Sequence, residues 1–469
     1  MAKVLLIQAA HHYAHHTHLQ PLGVMSVAAT LRRAGHDVRI FDMKVERVGL
    51  KEVVEQVDAY RPRVVGISCM TYESLSAMRI AEQLKKSFPG ITLIAGGPHP
   101  TNSTEEVLRG GAIEYVCIGE GDHTAVELVD AIEGGGDFRA IRGIAFLEEG
   151  EVVRTPEREN IMDLDALPSP AWDLLPVAKY FDLQRGGIIY KHKQFMTVMS
   201  SRSCPWKCTY CHNNLGKTYR AFSPTRVVDE MQAVHDRFGV REYIFMDDMF
   251  NLYPDRVKEI CRQIKERGLE IAMTFPNGLR ADIMDMSTVE AMRDAGMYRC
   301  MYAVETASPR IQKQIKKYVD LDKTFDVINK TSDMGVLTHG AFMLGFPTET
   351  EEEARATVEY AVKTRLDTAA FFRVLPFRGS ELYDEVSRRG YEEDVRKSYE
   401  YYNSRVNLSA IPDETVVRLR QKAYRDFYLL SPRRMARLLR KLPNKAELLP
   451  VLGKMFLSRA FEGSGGYSG

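Results

Sequence analysis

The sequence predicts an α/β protein built from a doubly wound, Rossmann-like domain, a second parallel α/β domain and a helical C-terminal region. Three observations lead there. Short β-branched runs alternate with amphipathic stretches over the first 135 residues, as buried parallel strands alternate with their crossover helices. The alternation breaks at Gly134-Gly135-Gly136 and at the proline-rich stretch Leu167-Pro168-Ser169-Pro170-Ala171-Trp172-Asp173, which reads as an extended connector. It returns from Phe195 with longer helices and gives way after Tyr391 to a charged helical region. The expected boundaries are 1–135 for the first domain, 136–190 for the connector, 191–390 for the second domain and 391–469 for the remainder.

In the first domain the strands read Val4–Ile7, Asp37–Phe41, Val64–Ile67, Thr92–Ala95 and Tyr115–Ile118. Helices read Gly23–Ala34, Leu50–Tyr60, Ser74–Ser87 and Thr104–Arg109. Such domains bind ligands at the carboxyl ends of their strands. The loops there are Ser68-Cys69-Met70-Thr71, Gly96-Gly97-Pro98-His99-Pro100-Thr101 and Gly119-Glu120-Gly121-Asp122. Their glycines let backbone approach a flat, bulky ligand. No GxGxxG follows the first strand, which argues against a nicotinamide dinucleotide. The first loop, 11–18, carries five histidines in eight residues. It reads as a metal or cobalt-ligand site, as a substrate contact, or as a solvated polar loop. His99 reads as support for its own turn. Two short strands, Gly143–Leu147 and Val152–Arg154, fall in the connector.

The second domain offers strands at Phe195–Ser200, Glu242–Met246, Ile271–Phe275, Met301–Glu305, His339–Leu344 and Ala369–Leu375. The helices between them are Thr225–Phe238, Asp255–Arg267, Ser287–Ala295, Asp322–Met334 and Glu349–Thr364. A net charge of +1 leaves no global nucleic-acid footprint. No apolar run is long enough to span a bilayer. Met1-Ala2-Lys3 leads straight into a strand without signal-peptide architecture, so a cytoplasmic protein is expected. The seven cysteines, three clustered and four scattered, are not a disulfide framework.

The clustered three are Cys204, Cys208 and Cys211, spaced CxxxCxxC within Ser200–Asn214, on a loop leaving the apolar strand Phe195–Met199. Thiolates this close suit a metal or an iron–sulfur cluster. Zinc normally wants four ligands, and His212 could be the fourth. Three thiols would leave one iron of a 4Fe–4S cluster open to another ligand.

CxxxCxxC with an aromatic before its last cysteine resembles the signature of radical S-adenosylmethionine (SAM) enzymes. The resemblance implies a six-stranded partial (β/α)6 barrel, a 4Fe–4S cluster on Cys204, Cys208 and Cys211, and SAM chelated to the open iron. Reductive cleavage of SAM would then generate a 5′-deoxyadenosyl radical that abstracts hydrogen from substrate. The strand ends are similar to the family's in order: Asp247-Asp248-Met249-Phe250, Pro276–Asp282 with Arg280, Val304-Glu305-Thr306, Gly345-Phe346-Pro347-Thr348-Glu349-Thr350, and Pro376–Tyr383. By that resemblance Tyr210, Asp247, Asp248, Arg280, Glu305 and Gly345 are SAM-site candidates. Arg280 could equally pair with a barrel carboxylate, and either aspartate could serve as a helix cap. No catalytic residue is assigned beyond the cluster ligands.

The serine after strand three and the paired glycines after strand four look like two of the three loop motifs of cobalamin-binding Rossmann domains. The third, Asp-x-His-x-x-Gly, is absent, as in the radical SAM subclass with an N-terminal cobalamin domain. Ser68, Thr71, Gly96, Gly97, Gly119 and Glu120 are the cobalamin-site candidates. The expected reaction is methylation of an unactivated carbon of a small or lipid-like substrate, with a reducing partner such as flavodoxin or ferredoxin. Radical rearrangement, cyclisation or oxidation is the alternative within the class, and a non-catalytic corrinoid or metal sensor the alternative outside it. A methylthio-transferring relative is disfavoured, because the first domain holds only Cys69 and Cys117. The basic, amphipathic stretch 431–461 reads either as a helix packed on the barrel or as a peripheral membrane contact.

Overall fold

The structure, a computed structural model, describes residues 1–10, 19–183, 189–212, 214–391, 395, 406–443 and 445. The histidine-rich loop 11–18 and most of the tail beyond 443 lie outside the described residues. The chain divides into two compact units. The first comprises Met1–Gly186 with Asn213–Arg220, and the second comprises Gly187–His212 with Ala221–Gly469.

The first unit holds a seven-stranded sheet: β1 (Lys3–Gln8), β2 (Asp37–Asp42), β3 (Val64–Ser68), β4 (Thr92–Gly96), β5 (Tyr115–Cys117), β6 (Ile144–Glu148) and β7 (Glu151–Arg154). Its order is 2-1-3-4-5-6-7, parallel from β2 to β5. Both faces of β1 are apolar, because both are covered. Leu5 and Ile7 join a core with Val53, Val57 and Ile80, whereas Val4 and Leu6 join one with Ala28, Leu31 and Leu128. This is the doubly wound arrangement the alternation predicts, and its strand order reverses between β1 and β3.

The two short strands of the expected connector extend this sheet. β6 pairs antiparallel with β5, and β7 folds back on β6. Glu149 and Gly150, with φ of 51° and 85°, form a two-residue turn whose hand matches strand twist. The proline-rich stretch packs on the same unit: Arg32 binds Asp173 at 2.6 Å, and buried Tyr180 donates to Asp42 at 2.5 Å. Residues 136–186 thus belong to the first unit by their contacts.

The second unit holds a six-stranded parallel sheet in simple sequential order: β8 (Phe195–Val198), β9 (Glu242–Phe245), β10 (Ala272–Leu279), β11 (Met297–Glu305), β12 (Leu337–Leu344) and β13 (Thr368–Arg373). β8 and β13 are its edges, so the barrel is partial. Helices cover one face: Tyr243 of β9 donates to the Met231 carbonyl, Tyr302 of β11 meets Thr331, and Phe371 of β13 packs edge-on to Tyr424. β11 begins four residues earlier than its β-branched run suggests. Gly296, at φ 115°, makes that start possible, since a Cβ there would lie 2.2 Å from the Ile271 carbonyl oxygen.

The basic helix Pro432–Lys441 is packed on the second unit. Arg434 is buried and donates to the carbonyls of Val362, Thr364, Leu366 and Phe427 at 2.7–2.9 Å. Arg437 and Lys441 each bind Asp367 at 2.8 Å, and that carboxylate is wholly buried. Burial pushes the Lys441 ammonium pKa below its ordinary value. The packed reading therefore holds for this helix. No helix among the described residues is long and apolar enough to cross a membrane.

Candidate active site

The loop after β8 opens at Ser200 and is braced from the end of β9. The buried Asp247 carboxylate accepts from the Ser200 amide at 3.1 Å, the Ser200 hydroxyl at 2.7 Å and the Ser201 hydroxyl at 2.5 Å. Desolvation raises its pKa and these donors oppose the rise. Arg256 adds a bond to the Ser200 carbonyl at 2.5 Å, and the Phe222 amide returns to the same oxygen at 3.0 Å. The two ends of the loop are thereby held together. Asp247 is committed to this brace, whereas its neighbour Asp248 is exposed.

Cys204 and Cys208 are half-buried and Cys211 is exposed. Cys69, Cys117, Cys261 and Cys300 are buried, and desolvation pushes each of these thiols up to about 12. A thiol at that value is inert at neutral pH, so the accessible thiols are the three of the motif. No three His, Cys, Asp or Glu side chains among the described residues are drawn together closely enough for a single metal ion. In a 4Fe–4S cluster each thiolate binds a separate iron, so the donor set fits by its chemistry: three accessible thiols on one braced loop.

The candidate SAM residues fall at the carboxyl ends of the neighbouring strands. Tyr210 lies among the thiols, and burial, then Glu305, then Cys208 and Cys211, raise its phenol pKa well above the ordinary value. Its ring packs 5.9 Å from that of Phe346. Glu305 ends β11 at φ 69°, just past a register shift after Ala303, so a bulge re-aims its side chain. Its carboxylate accepts from Lys317 Nζ at 2.9 Å, and the same ammonium reaches the Tyr210 hydroxyl at 3.2 Å. Arg280 pairs with a barrel carboxylate, Asp282, at 2.9 Å and 3.0 Å. Its guanidinium carbon lies 4.2 Å from the centre of the Trp206 ring. Gly345, at φ 97°, donates its amide to Glu349 at 2.6 Å.

Sequence reasoning passed over Lys317 and Glu349. Lys317 follows a short helix rather than a strand end, in a run of lysines that looks solvated. Glu349 was visible only as part of a turn motif. It is fully buried, and its Oε1 has no hydrogen-bond partner among the described residues. Burial raises its carboxyl to about 7. The folded chain therefore keeps a proton that the unfolded chain releases near pH 4.5. The resulting stabilisation is complete below that pH and disappears as pH rises through 7. Its size is about 3 kcal/mol. Glu349→Gln should flatten this dependence: between pH 5 and 8 the parent's urea midpoint falls relative to the variant's. Parallel pH profiles would show that Glu349 is ionised in the fold.

In the first unit, Ser68, Thr71, Gly96, Gly97 and Gly119 are all partly exposed at the carboxyl ends of β3, β4 and β5. The loops are laced together: the Cys69 amide donates to the Gly96 carbonyl at 3.4 Å, and the Gly119 amide to the Thr101 hydroxyl at 3.2 Å. At Gly97, φ 94°, a Cβ would sit 3.0 Å from the Ser68 hydroxyl and 3.3 Å from the Cys69 carbonyl. A glycine is required there, so this loop carries no side chain at that point, and the partly exposed loop ends suit a flat, broad ligand such as a corrinoid. Glu120 differs. It is buried and accepts from Arg220 at 2.6 Å and from the Ile161 amide at 2.8 Å. Arg220 also donates to the Ile161 and Leu215 carbonyls. Glu120 is committed to holding segment 214–220.

Residues 15–129 match the model of the B12 binding domain, and residues 198–361 match that of the radical SAM superfamily. The chain is 32% identical over 413 residues to an uncharacterized methyltransferase of Pyrococcus horikoshii, covering 87% of this chain and 88% of that one. The chain belongs to the B12-binding radical SAM family. This radical SAM enzyme is also 28% identical to cytidylyl-2-hydroxyethylphosphonate methyltransferase of Streptomyces wedmorensis, over 87% of its own length and 86% of the relative's. Its fold is shared with the radical SAM methyltransferase TsrM of Kitasatospora setae, whose structure holds cobalamin and a 4Fe–4S cluster. The TM-score is 0.69 at 17% identity, covering 83% of this chain and 75% of that one. The enzyme's cofactors are accordingly a 4Fe–4S cluster, SAM and cobalamin. The zinc and sensor readings fall with this assignment.

Proposed function

We propose that this enzyme methylates an unactivated carbon of a small molecule, with Cys204, Cys208 and Cys211 as its cluster ligands. One observation carries the reading: a B12-binding module and a radical SAM module occur on one chain, in an enzyme similar over most of its length to named methyltransferases. When bound, the cluster, SAM and the corrinoid supply electron transfer, hydrogen abstraction and the methyl group. The protein's part is placement. Asp247 and Arg256 fix the ends of the cysteine loop. Tyr210 and Glu305 present a phenol and a carboxylate to SAM, and Gly345 leaves free the space a side chain would take. Asp248 completes that surface, and Arg280, held by Asp282 and the Tyr318 carbonyl, braces it. Ser68, Thr71, Gly96, Gly97 and Gly119 form the corrinoid face, and Glu120 supports it from behind.

An external one-electron carrier, such as flavodoxin or ferredoxin, fits the need for a reductant. A lipid-like substrate or membrane contact would have to rely on the exposed Arg433, Leu439 and Arg440 and on the tail beyond, since Arg434, Arg437 and Lys441 are engaged internally.

The test is anaerobic reconstitution with iron, sulfide and cobalamin, followed by metal analysis and incubation with methyl-deuterated SAM and reduced cobalamin. About four irons and one cobalt per chain, with deuterated methylcobalamin formed, are the expected result. Iron without cobalt under excess cobalamin would overturn corrinoid methyl transfer and leave chemistry that needs SAM alone.

A further inference from the structure

Lys317 sits in a loop whose backbone is strained on both sides. Lys316 has φ 56° and Tyr318 φ 53°, both in the left-handed region that ordinary side chains avoid. The loop is clipped to the end of β11 by Gln312, which is buried. Gln312 Nε2 donates to the carbonyls of Val304 and Thr306, on either side of Glu305, at 2.9 and 2.7 Å. Its carbonyls accept from the other direction: the backbone oxygen from the Lys317 amide at 3.1 Å, the side-chain oxygen from the Val319 amide at 3.3 Å. The same loop holds the cysteine segment. The Thr209 amide donates to the Ile315 carbonyl at 3.0 Å, and the Tyr318 carbonyl accepts from Arg280 at 2.9 Å.

These bonds place one ammonium, with a side chain only 10% exposed, between a phenol of the cysteine loop and the Glu305 carboxylate. Lys317 is the one donor to Glu305 among the described residues, and it engages Oε1. A buried carboxylate is costly unless an opposite charge pairs with it. Strain on three nearby residues, Glu305 included, is retained where surrounding structure over-determines it, and such places cluster at functional sites.

We infer that Lys317 is a positioning residue for SAM: its ammonium engages Glu305 Oε1 and aligns that carboxylate with Tyr210, leaving Glu305 Oε2 to accept a donor from SAM. The inference rests on the proposed cluster and SAM site. Lys317 thereby ties the loop that carries the cluster thiols to the strand end proposed to receive SAM.

Two variants test it. Lys317→Gln keeps a hydrogen-bond donor and removes the charge, whereas Lys317→Arg keeps the charge. Each is reconstituted, and three quantities are read: iron per chain, SAM affinity by equilibrium dialysis, and the SAM concentration needed to perturb the electron paramagnetic resonance spectrum of the reduced cluster. K317Q should load iron as the parent does and bind SAM at least tenfold more weakly, with the spectral titration displaced to match. K317R should lie within about threefold of the parent. Parental SAM dependence in K317Q overturns the inference, because the charge then does nothing. Equal loss of iron in K317Q and K317R also overturns it, because the residue then only packs the loop. A parent that binds no cluster removes the underlying assignment instead, a result distinct from either.

Discussion

Cys208→Ala should reduce 5′-deoxyadenosine formation from SAM to the level of buffer while leaving the protein folded. Cys208 is half-buried, and its thiol lies a weak 4.0 Å from the Lys316 carbonyl. Truncation there should move the urea midpoint by no more than about 0.5 kcal/mol of stability. The chemical loss is expected to be complete because three thiols leave no spare ligand. Iron analysis and the absorbance of the reconstituted protein read the cluster directly. Cys300→Ala is the control. Its thiol is buried in the barrel wall, so the substitution should cost stability and leave SAM cleavage in place. Retained cleavage in the Cys208 variant would sink the cluster assignment.

Asp367→Ala should give the larger loss of stability, about 3–5 kcal/mol. The substitution strands two cations, Arg437 and Lys441, and removes an acceptor for the Thr338 amide, which lies 2.9 Å from the carboxylate. Arg433→Ala, on the exposed side of the same helix, should change stability by less than about 0.5 kcal/mol. Urea unfolding of both variants measures the contrast. A neutral Asp367→Ala would mean that the helix Pro432–Lys441 is not held by this carboxylate in solution.

Much of the fold was legible because it is local. Val4–Ile7, Val64–Ile67 and Thr92–Ala95 are short β-branched runs that can pair only as buried strands, and each is a strand. The cysteine loop was legible for the same reason: spacing and strand lie together in sequence. What was hidden depends on partners far along the chain. Asp247 looks like a ligand-binding acid until Ser200 and Ser201 are seen to occupy it, 47 and 46 residues away. Arg437 looks like part of a membrane-facing stripe until Asp367, 70 residues earlier, is found beneath it. Lys317 gives no sign of its role, because nothing in a run of lysines reveals which one a strained backbone turns inward. The hairpin β6–β7 was visible as two strands, but its sheet was not, since edge pairing is decided by the space left beside β5.

The commitment of Glu120 and Arg220 to each other has a consequence for how such an enzyme can arise or be rebuilt. The eight residues Asn213–Arg220 belong to the first unit although they follow the last cysteine, in the midst of the second unit's sequence. The two units are therefore interleaved along the gene. A single crossover near residue 187 would exchange residues 1–186 but leave Asn213–Arg220 behind, so Glu120 of the incoming unit would be buried against the recipient's segment instead of its own Arg220. Successful domain grafts in this architecture should carry two junctions, the second a short patch just after the cysteine motif.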